Sequence, residues 1–436
     1  MTGPADALTV LITNVRLDGR TGTETWVQDA ARELQRQGHR PVVYTPRGGP
    51  IAEALRRDSI PVLGDPRDLA EPPDIIHGHH TNPTLTALLA FPRTPAVLFI
   101  HDWDAWHDRP VRHPRIRRIA PVDATCADRA LEEGFATDEV ELVPNFVDLR
   151  RFSPRGALPA RPRRALLFDN QAHPTNHGGI IAAACEGAGI TLDIAGAAAG
   201  TATDRPEEVL GEYDLVFAKG KAALEGMAAG CAVILVNGRG VGGLVTSESF
   251  TAMRRLNFGR RLMREPVSPG VLAAHIAAYD AGDAAAVTAR VREECSLSTT
   301  VTRLVGLYRE VIAEQAAAED ARDPELRDLG AYLRSIEVQL EEGAHAAHLR
   351  AALDAHRGML AEAQAAVEST TAHAEAVEAN ARRVWADAQA DAARARAAEL
   401  ATDEARLAFS TLIGTRRWRL MQRTMRPLDR LRRSRG

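Results

Sequence analysis

The stretch Leu8-Thr-Val-Leu-Ile-Thr13 decides how the fold begins, because it is an apolar run of strand length. A polar segment with two glycines, residues 14–22, separates this run from residues 23–37, in which apolar side chains recur every three or four positions. Gly38 ends the helical pattern, and residues 41–45 form a second apolar run. A strand, a loop, a helix and a second strand in this order predict the start of a parallel sheet covered by helices.

The same alternation continues along the chain and divides it into two sets. In the first set, further strands are predicted at 74–77, 96–100, 119–122 and 140–143. A linker rich in proline and arginine follows at 148–164. In the second set, strands are predicted at 165–168, 191–194, 214–217 and 232–236, and helices at 178–186, 222–229, 270–279, 284–294 and 299–314. These patterns predict two doubly wound, Rossmann-like α/β domains, residues 1–150 and 151–316.

The composition changes after residue 316. Residues 317–411 are rich in alanine, poor in glycine and without a strand pattern, which predicts helix because alanine is the strongest helix former. A heptad repeat runs from Leu349 but contains few large apolar residues, so a weak coiled coil, a helical hairpin and low-complexity sequence all stay open. We expect this extension to mediate formation of a homo-oligomer or approach to a membrane.

Residues 412–436 form a basic, amphipathic tail. From Arg416 to Gly436, nine arginines stand against a single acid, Asp429, and Trp418 lies among them. This mixture suits an anionic membrane surface, to which each basic residue contributes about 1 kcal/mol. An ordinary solvated helix end is the alternative. Nucleic acid is the competing polyanion, and we do not expect it as a partner.

Composition narrows the class of protein. The chain has 436 residues, of which 45% are hydrophobic, so it can form hydrophobic cores and is not disordered throughout. A mean hydropathy of −0.21 and the lack of a long apolar run argue against a membrane span. No basic segment precedes the first apolar run, so we expect a cytoplasmic protein without a secretory signal. The four cysteines are far apart, which predicts free thiols rather than disulfides or a zinc site.

Lysine is nearly absent from the chain. Of 54 basic residues, 52 are arginine, and the two lysines lie together in Ala218-Lys-Gly-Lys-Ala222. Because arginine is the default base everywhere else, two lysines at one place indicate a specific task.

Six segments carry further motifs in a fixed order. They are Leu11–Trp26, Gly38-His-Arg-Pro-Val-Val43, Pro73-Asp-Ile-Ile-His-Gly-His79, Val143-Pro-Asn-Phe-Val-Asp148, Ala223-Leu-Glu-Gly-Met-Ala-Ala-Gly-Cys-Ala-Val233 and Gly242-Gly243. In type and spacing they resemble the motifs of the retaining glycosyltransferases of family 4, which have the GT-B fold, and the resemblance covers residues 8–316. It implies two Rossmann-like domains that face a cleft, a nucleotide-sugar donor in the second domain, an acceptor in the first, and no metal or other cofactor.

The resemblance points to two places in the first domain. Gly19, Gly22 and Thr23 precede a helix, where free N–H groups attract a phosphate or a carboxylate. A tight turn capped by Thr23 is the alternative. His101 follows a predicted strand at the ligand-binding edge of the sheet, where the family has a histidine beside the donor sugar. A neutral imidazole there could hydrogen-bond a sugar hydroxyl or the developing charge, and a satisfied loop histidine is the alternative.

In the second domain, Glu225 matches the glutamate that accepts hydrogen bonds from the ribose hydroxyls in the family. The chain departs from the family in two places. Phe217 stands where a second glutamate contacts the sugar, and residues 169–177 lack the arginine and lysine that usually meet the diphosphate. We expect Lys219 and Lys221 to supply that charge. A surface pair or ion pairing with Glu225 is the alternative. Further residues assigned to the donor are Gly220, Asn170, Gly242 and Gly243, with Arg254, Arg255, Arg260 and Arg261 in reserve.

Short motifs suggest two other kinds of site. The histidines of 77–80 and the motif Asp102-Trp-Asp104 invite a metal, but alternation along a strand separates adjacent side chains, and we expect none. Gly238-Arg-Gly-Val-Gly-Gly243 matches the dinucleotide motif. No long helix follows it promptly, so a glycine loop for the phosphate or sugar of the donor is preferred.

The sequence therefore predicts a glycosyltransferase that moves a sugar from a nucleotide-diphosphate donor to a glycan or lipid-linked acceptor. Cell-envelope polysaccharide synthesis at the inner face of the membrane is the expected setting. Because the donor motifs are incomplete, a non-catalytic binding or scaffold protein of the same fold stays open. An epimerase that acts on the nucleotide sugar alone is a further alternative.

Overall fold

A computed structural model describes residues 6–19, 22–203, 205–318, 324–329, 331–333 and 374–414. The chain forms two compact units, Met1–Arg334 and Ser335–Gly436. The first unit contains two lobes, each built on its own β-sheet.

The first lobe is a parallel sheet flanked by helices. Its elements are β1 (Thr9–Thr13), α1 (Gly22–Arg36), β2 (Arg40–Tyr44), α2 (Pro50–Arg57), β3 (Val62–Leu63), β4 (Ile75–His79), α3 (Thr81–Ala90), β5 (Ala96–Ile100), β6 (Ile116–Pro121) and α4 (Ala124–Glu132). The strand order is β3-β2-β1-β4-β5-β6, and neighbouring strands are parallel. The order reverses between β1 and β4, so the loops at the carboxyl ends of these strands diverge and leave room for a ligand.

The second lobe has a five-stranded sheet. Its elements are β7 (Arg164–Phe168), α5 (His177–Gly187), β8 (Thr191–Ala195), α6 (Pro206–Val209), β9 (Leu215–Ala218), α7 (Gly220–Ala228), β10 (Ala232–Asn237), β11 (Gly240–Leu244), α8 (Phe250–Arg255), α9 (Pro269–Ala277) and α10 (Ala281–Glu294). The order is β11-β10-β9-β7-β8, with only the β10–β11 pair antiparallel among these strands. Two doubly wound lobes were predicted from the sequence, and this prediction is confirmed.

The last helix of the first unit returns to the first lobe. After α10, helix α11 (Leu297–Ala316) buries one face against the first-lobe core, with apolar side chains at 297, 301, 304, 305, 308 and 311. The three- and four-residue spacing of these positions puts them on one stripe of the helix. The predicted second domain, residues 151–316, therefore ends too late, because its final helix packs in the first lobe. Buried side chains of this size contribute about 1.5–3 kcal/mol each.

One predicted strand is wrong. Residues 140–143 do not form a sheet strand, and only Val140 makes an isolated bridge, to Ile119. The four cysteines are buried and unpaired, as predicted.

The second unit is described from residue 374. A single helix, α12 (Ala374–Gly414), has 41 residues, about 60 Å of length. Trp385, Leu400 and Leu407 are exposed on it. The start of the heptad repeat and residues 415–436 of the basic tail lie outside the described residues, so the choice between hairpin and coiled coil stays open. In the described part of the chain, no helix has both the length and the apolar character needed to cross a bilayer.

Candidate active site

A cavity of about 1020 Å³ lies between the two lobes, at the carboxyl ends of their parallel strands. Loops after β1, β4, β5 and β6 form one wall, and loops after β7, β8 and β9 form the other. Doubly wound sheets bind ligands at this edge. The cavity is lined by eight of the residues predicted from the sequence: Gly22, Thr23, His101, Asn170, Lys219, Gly220, Lys221 and Glu225.

A sharp turn places Lys219 on the wall of the cavity. Strand β9 ends at Ala218 and α7 begins at Gly220, so a single residue connects them. Gly220 has a φ of +55°, which glycine adopts readily, and its N–H donates to the Phe258 carbonyl at 2.8 Å. Lys219 is exposed, and no ion-pair partner for it occurs among the described residues. The positive end of α7 and the ammonium group of Lys219 together make this corner suitable for an anion.

Lys221, unlike Lys219, forms an ion pair with another of the described residues. Its ammonium group forms an ion pair with Asp29 of α1, across the two lobes, and it lies 5.7 Å from the centre of the Phe146 ring. The side chains of Lys221 and Asp29 are only 9% and 5% exposed. Arg151 also contacts Asp29, at 3.4 Å. The prediction that Lys221 binds a phosphate needs correction, because Asp29 already occupies its ammonium group.

Glu225 lies in the middle of α7. Burial raises its pKa to about 7, although Lys221 opposes this increase and Asp29 reinforces it. At neutral pH the carboxyl group is therefore divided between its protonated and ionised forms. A group of this kind in a cavity wall is a candidate for ligand binding.

A chain of hydrogen bonds leads from His101 into the first-lobe core. Nε2 of His101 lies 2.6 Å from Nδ1 of His79. Nε2 of His79 lies 2.8 Å from Nε2 of His77, and Nδ1 of His77 bonds to the Tyr308 hydroxyl. His77 and His79 share one face of β4 because they are two residues apart. Trp26 packs against the three imidazole rings at centroid distances between 4.8 and 6.0 Å.

These histidines are neutral. Burial lowers the pKa of His77 and His79 well below the usual value and lowers that of His101 to about 3. The sequence contained a signal for two of them, a His-x-His pair on an apolar strand. Tyr308 was missed, because it belongs to α11 and lies 231 residues from His77.

His80, His107 and Asp108 are the described residues that come closest to a metal site, with ligand atoms within 4.8 Å of one another. However, Nδ1 of His80 accepts the Val15 N–H at 3.4 Å, so Nε2 carries the proton in the neutral ring. That N–H faces Oδ1 of Asp108 at 3.9 Å. A metal-binding imidazole instead donates with its second nitrogen. Burial raises the pKa of Asp108 to about 7. In this tautomer His80 directs its N–H towards Asp108 and does not offer a lone pair there to a metal. That no metal binds stays a prediction.

One N–H group of the glycine loop before α1 already has a hydrogen-bond partner within the protein. The Gly19 N–H donates to the carboxylate of Glu24 at 3.0 Å, and Glu24 is fully buried. Gly19 is therefore not the anion-binding donor that the sequence suggested. Gly22 and Thr23 do reach the cavity, where α1 begins.

The predicted glycine loop at Gly242 and Gly243 is wrong. Both residues lie in β11, and neither lines the cavity. A Cβ on Gly242 would lie 3.0 Å from Cβ of Leu235, and Gly243 has a φ of +89°. These glycines therefore permit close strand packing and a bulge rather than the approach of a phosphate. Asn170 does line the cavity, where its backbone carbonyl accepts the Ala198 N–H at 2.9 Å.

Side chains from both lobes meet at the rim. Arg261 pairs with Asp128 at 2.7 Å, and Arg260 lies over the ring of Trp103 at 5.5 Å. Of the four reserve arginines, Arg260 and Arg261 line the cavity, whereas Arg254 and Arg255 do not. Trp103 was not predicted as a site residue.

Comparison with known proteins agrees with this architecture. Residues 20–151, within the first lobe, match the profile of Glycosyltransferase Family 4. No protein of curated function matches the chain in sequence.

Solved structures share the fold. A glycosyltransferase from Rickettsia africae ESF-5 is 14% identical, with a TM-score of 0.50 over 70% of this chain and 99% of that one. Anabaena Alr3699/HepE in complex with UDP is 12% identical, with a TM-score of 0.51 over 70% of this chain and 100% of that one. Its complex with UDP and glucose is 14% identical, with a TM-score of 0.50 over the same shares. This likeness defines the GT-B fold, and the predicted fold class, including the C-terminal helices, is confirmed.

Proposed function

We propose that this protein is a glycosyltransferase that uses a nucleotide-diphosphate sugar as donor. The proposal rests on the groups that helix α7 and the residue before it present to the cavity. There an exposed lysine, a helix N-terminus and a half-buried glutamate share one cavity with His101 of the other lobe. Those are the groups that a nucleotide sugar needs, because it combines a diphosphate, a ribose diol and a sugar ring.

The donor would lie along α7. Lys219 and the start of the helix would meet the diphosphate, and Glu225 would accept hydrogen bonds from the two ribose hydroxyls. Six residues, about 9 Å of helix rise, separate these two positions, so one nucleotide could contact both. UDP is the first nucleotide to test, because the Anabaena relative with the same fold was solved with UDP.

Departure of the diphosphate would be the step that Lys219 assists. As the bond between the anomeric carbon and the phosphate oxygen breaks, negative charge grows on that oxygen, and a nearby ammonium group stabilises it. We propose that the acceptor hydroxyl attacks from the same face and gives its proton to the departing phosphate, with retention at the anomeric carbon. Phe217, where the family has a second glutamate that contacts the sugar, is fully buried in the strand before Lys219 and offers no polar group to the donor.

The acceptor would enter from the first lobe. Gly22, Thr23, His101 and Trp103 line that side of the cavity. A glycan or a lipid-linked sugar is the proposed acceptor class, and cell-envelope polysaccharide is the proposed product. Peripheral attachment through residues 412–436 and self-association through the helical extension are part of the same proposal, and both rest on the sequence.

Donor binding can be tested directly by thermal unfolding. UDP at about 100 times its dissociation constant should stabilise the folded protein by about 2.7 kcal/mol and raise the unfolding midpoint by several degrees. Other nucleoside diphosphates and UMP serve as comparison ligands. If no nucleoside diphosphate shifts the midpoint, the proposal fails.

Product analysis then separates the enzyme from its two rivals. A transferase releases UDP from UDP-sugar only when it transfers or hydrolyses the sugar. An epimerase converts the nucleotide sugar without an acceptor and without releasing UDP. Binding without any turnover over a panel of UDP-sugars and glycan acceptors would instead favour a scaffold protein of the same fold.

Glu225→Gln should weaken UDP binding about tenfold and remove most of its pH dependence. In the natural protein, affinity should increase between about pH 6 and about pH 8, because the carboxylate that accepts the ribose hydroxyls forms as the pH passes its raised pKa of about 7. Calorimetric titration across this range checks both effects. The glutamine variant also corrects for titration of the UDP phosphate itself, which is common to both proteins.

Glu225→Gln should increase the stability of the folded protein, although it weakens UDP binding. In the unfolded chain Glu225 ionises near 4.5, whereas in the folded protein it ionises near 7, so stability is lost as pH rises through this window. Glu225→Gln should therefore raise the unfolding midpoint at about pH 8 and not at about pH 4. Equal midpoints for the two proteins at both pH values would show that the carboxyl group is not held in a buried setting.

A further inference from the structure

The hydrogen-bond chain from Tyr308 to His101 has a direction that the structure determines. Each neutral imidazole has one nitrogen that donates and one that accepts, so fixing one ring fixes the next. Tyr308 is fully buried, and among the described residues its hydroxyl contacts only His77. If the hydroxyl accepted a proton from His77, its own O–H would remain unbonded in the core, which is unfavourable because a buried donor loses its hydrogen bonds to water without replacement. The hydroxyl therefore donates to Nδ1 of His77.

The remaining protons follow from this first one. His77 accepts at Nδ1, so it carries its proton on Nε2 and donates it to Nε2 of His79. His79 then carries its proton on Nδ1 and donates it to Nε2 of His101. His101 must therefore carry its own proton on Nδ1. Within the described part of the chain, Nδ1 of His101 has no protein partner, and the residue lines the cavity.

We infer that Tyr308 acts as a positioning residue that, through His77 and His79, fixes His101 as a hydrogen-bond donor to an oxygen atom of the ligand. The tautomer stands by itself, and the identity of the ligand, a sugar hydroxyl or phosphoryl oxygen of the donor, rests on the proposed function. In this state Nδ1 of His101 has no lone pair with which to accept a proton. His101 thus orients an oxygen and stabilises charge on it, and it does not serve as the general base.

Protonation of His101 would disturb the whole chain. An imidazolium carries protons on both nitrogens, so His79 would have to accept at Nδ1 and donate at Nε2. The change would pass through His77 and leave the Tyr308 O–H unbonded in the core. The buried hydroxyl of Tyr308 therefore opposes protonation of His101, although the two residues lie 207 positions apart in the sequence.

The tautomers can be read in the free protein by nitrogen-15 spectroscopy of the histidine rings, with single His→Gln variants for assignment. We expect His77 to be protonated on Nε2, and His79 and His101 on Nδ1. The opposite direction of the chain would give the opposite pattern at all three rings, and that result in the natural protein would overturn the inference. Because no ligand or turnover is needed, this result is independent of whether the proposed function holds.

Tyr308→Phe removes the donor that sets the direction. We expect the preference for the Nδ1 tautomer of His101 to be lost, with affinity for a UDP-sugar that the protein binds reduced about two- to tenfold. Unchanged affinity for UDP would assign the bond to a sugar hydroxyl, and an equal loss for UDP would assign it to a phosphoryl oxygen. Tyr213→Phe is the control, because it removes a partly buried phenol bond, to Asp193 at 3.0 Å, in the other lobe. An unchanged His101 tautomer in folded Tyr308→Phe would show that the hydroxyl does not direct the chain.

Discussion

Lys219→Ala should lower sugar transfer about 100-fold, with little loss of stability. The side chain is exposed on the cavity wall and has no ion-pair partner among the described residues, so its removal leaves no buried charge behind. Its proposed contact with the diphosphate of the bound donor strengthens as the diphosphate departs, when charge grows on the leaving oxygen. Loss of one group that stabilises such charge typically costs a factor of about 100 or more in turnover. Steady-state measurement of UDP release and of the transferred sugar checks this prediction.

Two further variants define what the lysine contributes. Lys219→Arg keeps the positive charge in a different shape, so it should recover part of the lost turnover. Arg239→Ala removes an exposed base of the same lobe that does not line the cavity, and it should leave turnover unchanged. If Lys219→Ala transfers sugar within twofold of the natural protein, the diphosphate is held by other groups, and Arg260 and Arg261 at the rim become the next candidates.

The parts of the fold that the sequence predicted well are those that depend on local burial. A strand in a parallel sheet is covered on both faces, so a short apolar run identifies it, and β5 was predicted with both of its ends correct. The glycine pair of β11 misled the prediction, because glycine is rare in strands and common in loops. Gly242 is needed because Leu235 approaches it closely. Leu235 is a neighbour only in the folded sheet, so the sequence pattern does not reveal this contact.

The candidate site was predicted in part for a similar reason. Residues that follow strands gather at one edge of each sheet, which is where His101 and Lys219 were expected. The family resemblance supplied His101 and Glu225, and the scarcity of lysine supplied Lys219. What these residues contact could not be predicted, because the partners come from distant parts of the chain. Asp29 lies 192 residues from Lys221, and Tyr308 lies on a helix that crosses back to the other lobe. Such contacts depend on how the lobes pack, which periodicity does not encode.

Lys221→Met should lower the free energy of unfolding by about 3 kcal/mol, a far larger effect on stability than any change at Lys219. Lys221 neutralises Asp29 in a setting where both side chains are nearly inaccessible to water. Without the ammonium group, Asp29 keeps, among the described residues, only the longer contact to Arg151, and Glu225 loses the cation that opposes the increase in its pKa. Removal of one partner from a buried ion pair is costly because the other charge remains buried. Urea unfolding measures this loss, with Lys219→Met as the matched control, for which we expect less than about 0.5 kcal/mol.

The double variant Asp29→Leu, Lys221→Met distinguishes an ion pair from a phosphate site. If the two side chains serve each other, removing both should recover much of the stability that the single change loses, because no uncompensated charge is left. A phosphate-binding lysine behaves in the reverse way: its loss lowers turnover and UDP affinity, leaves stability intact and is not rescued at Asp29. That second outcome would return Lys221 to the donor site and would mean that the contact between α1 and α7 opens when the nucleotide binds.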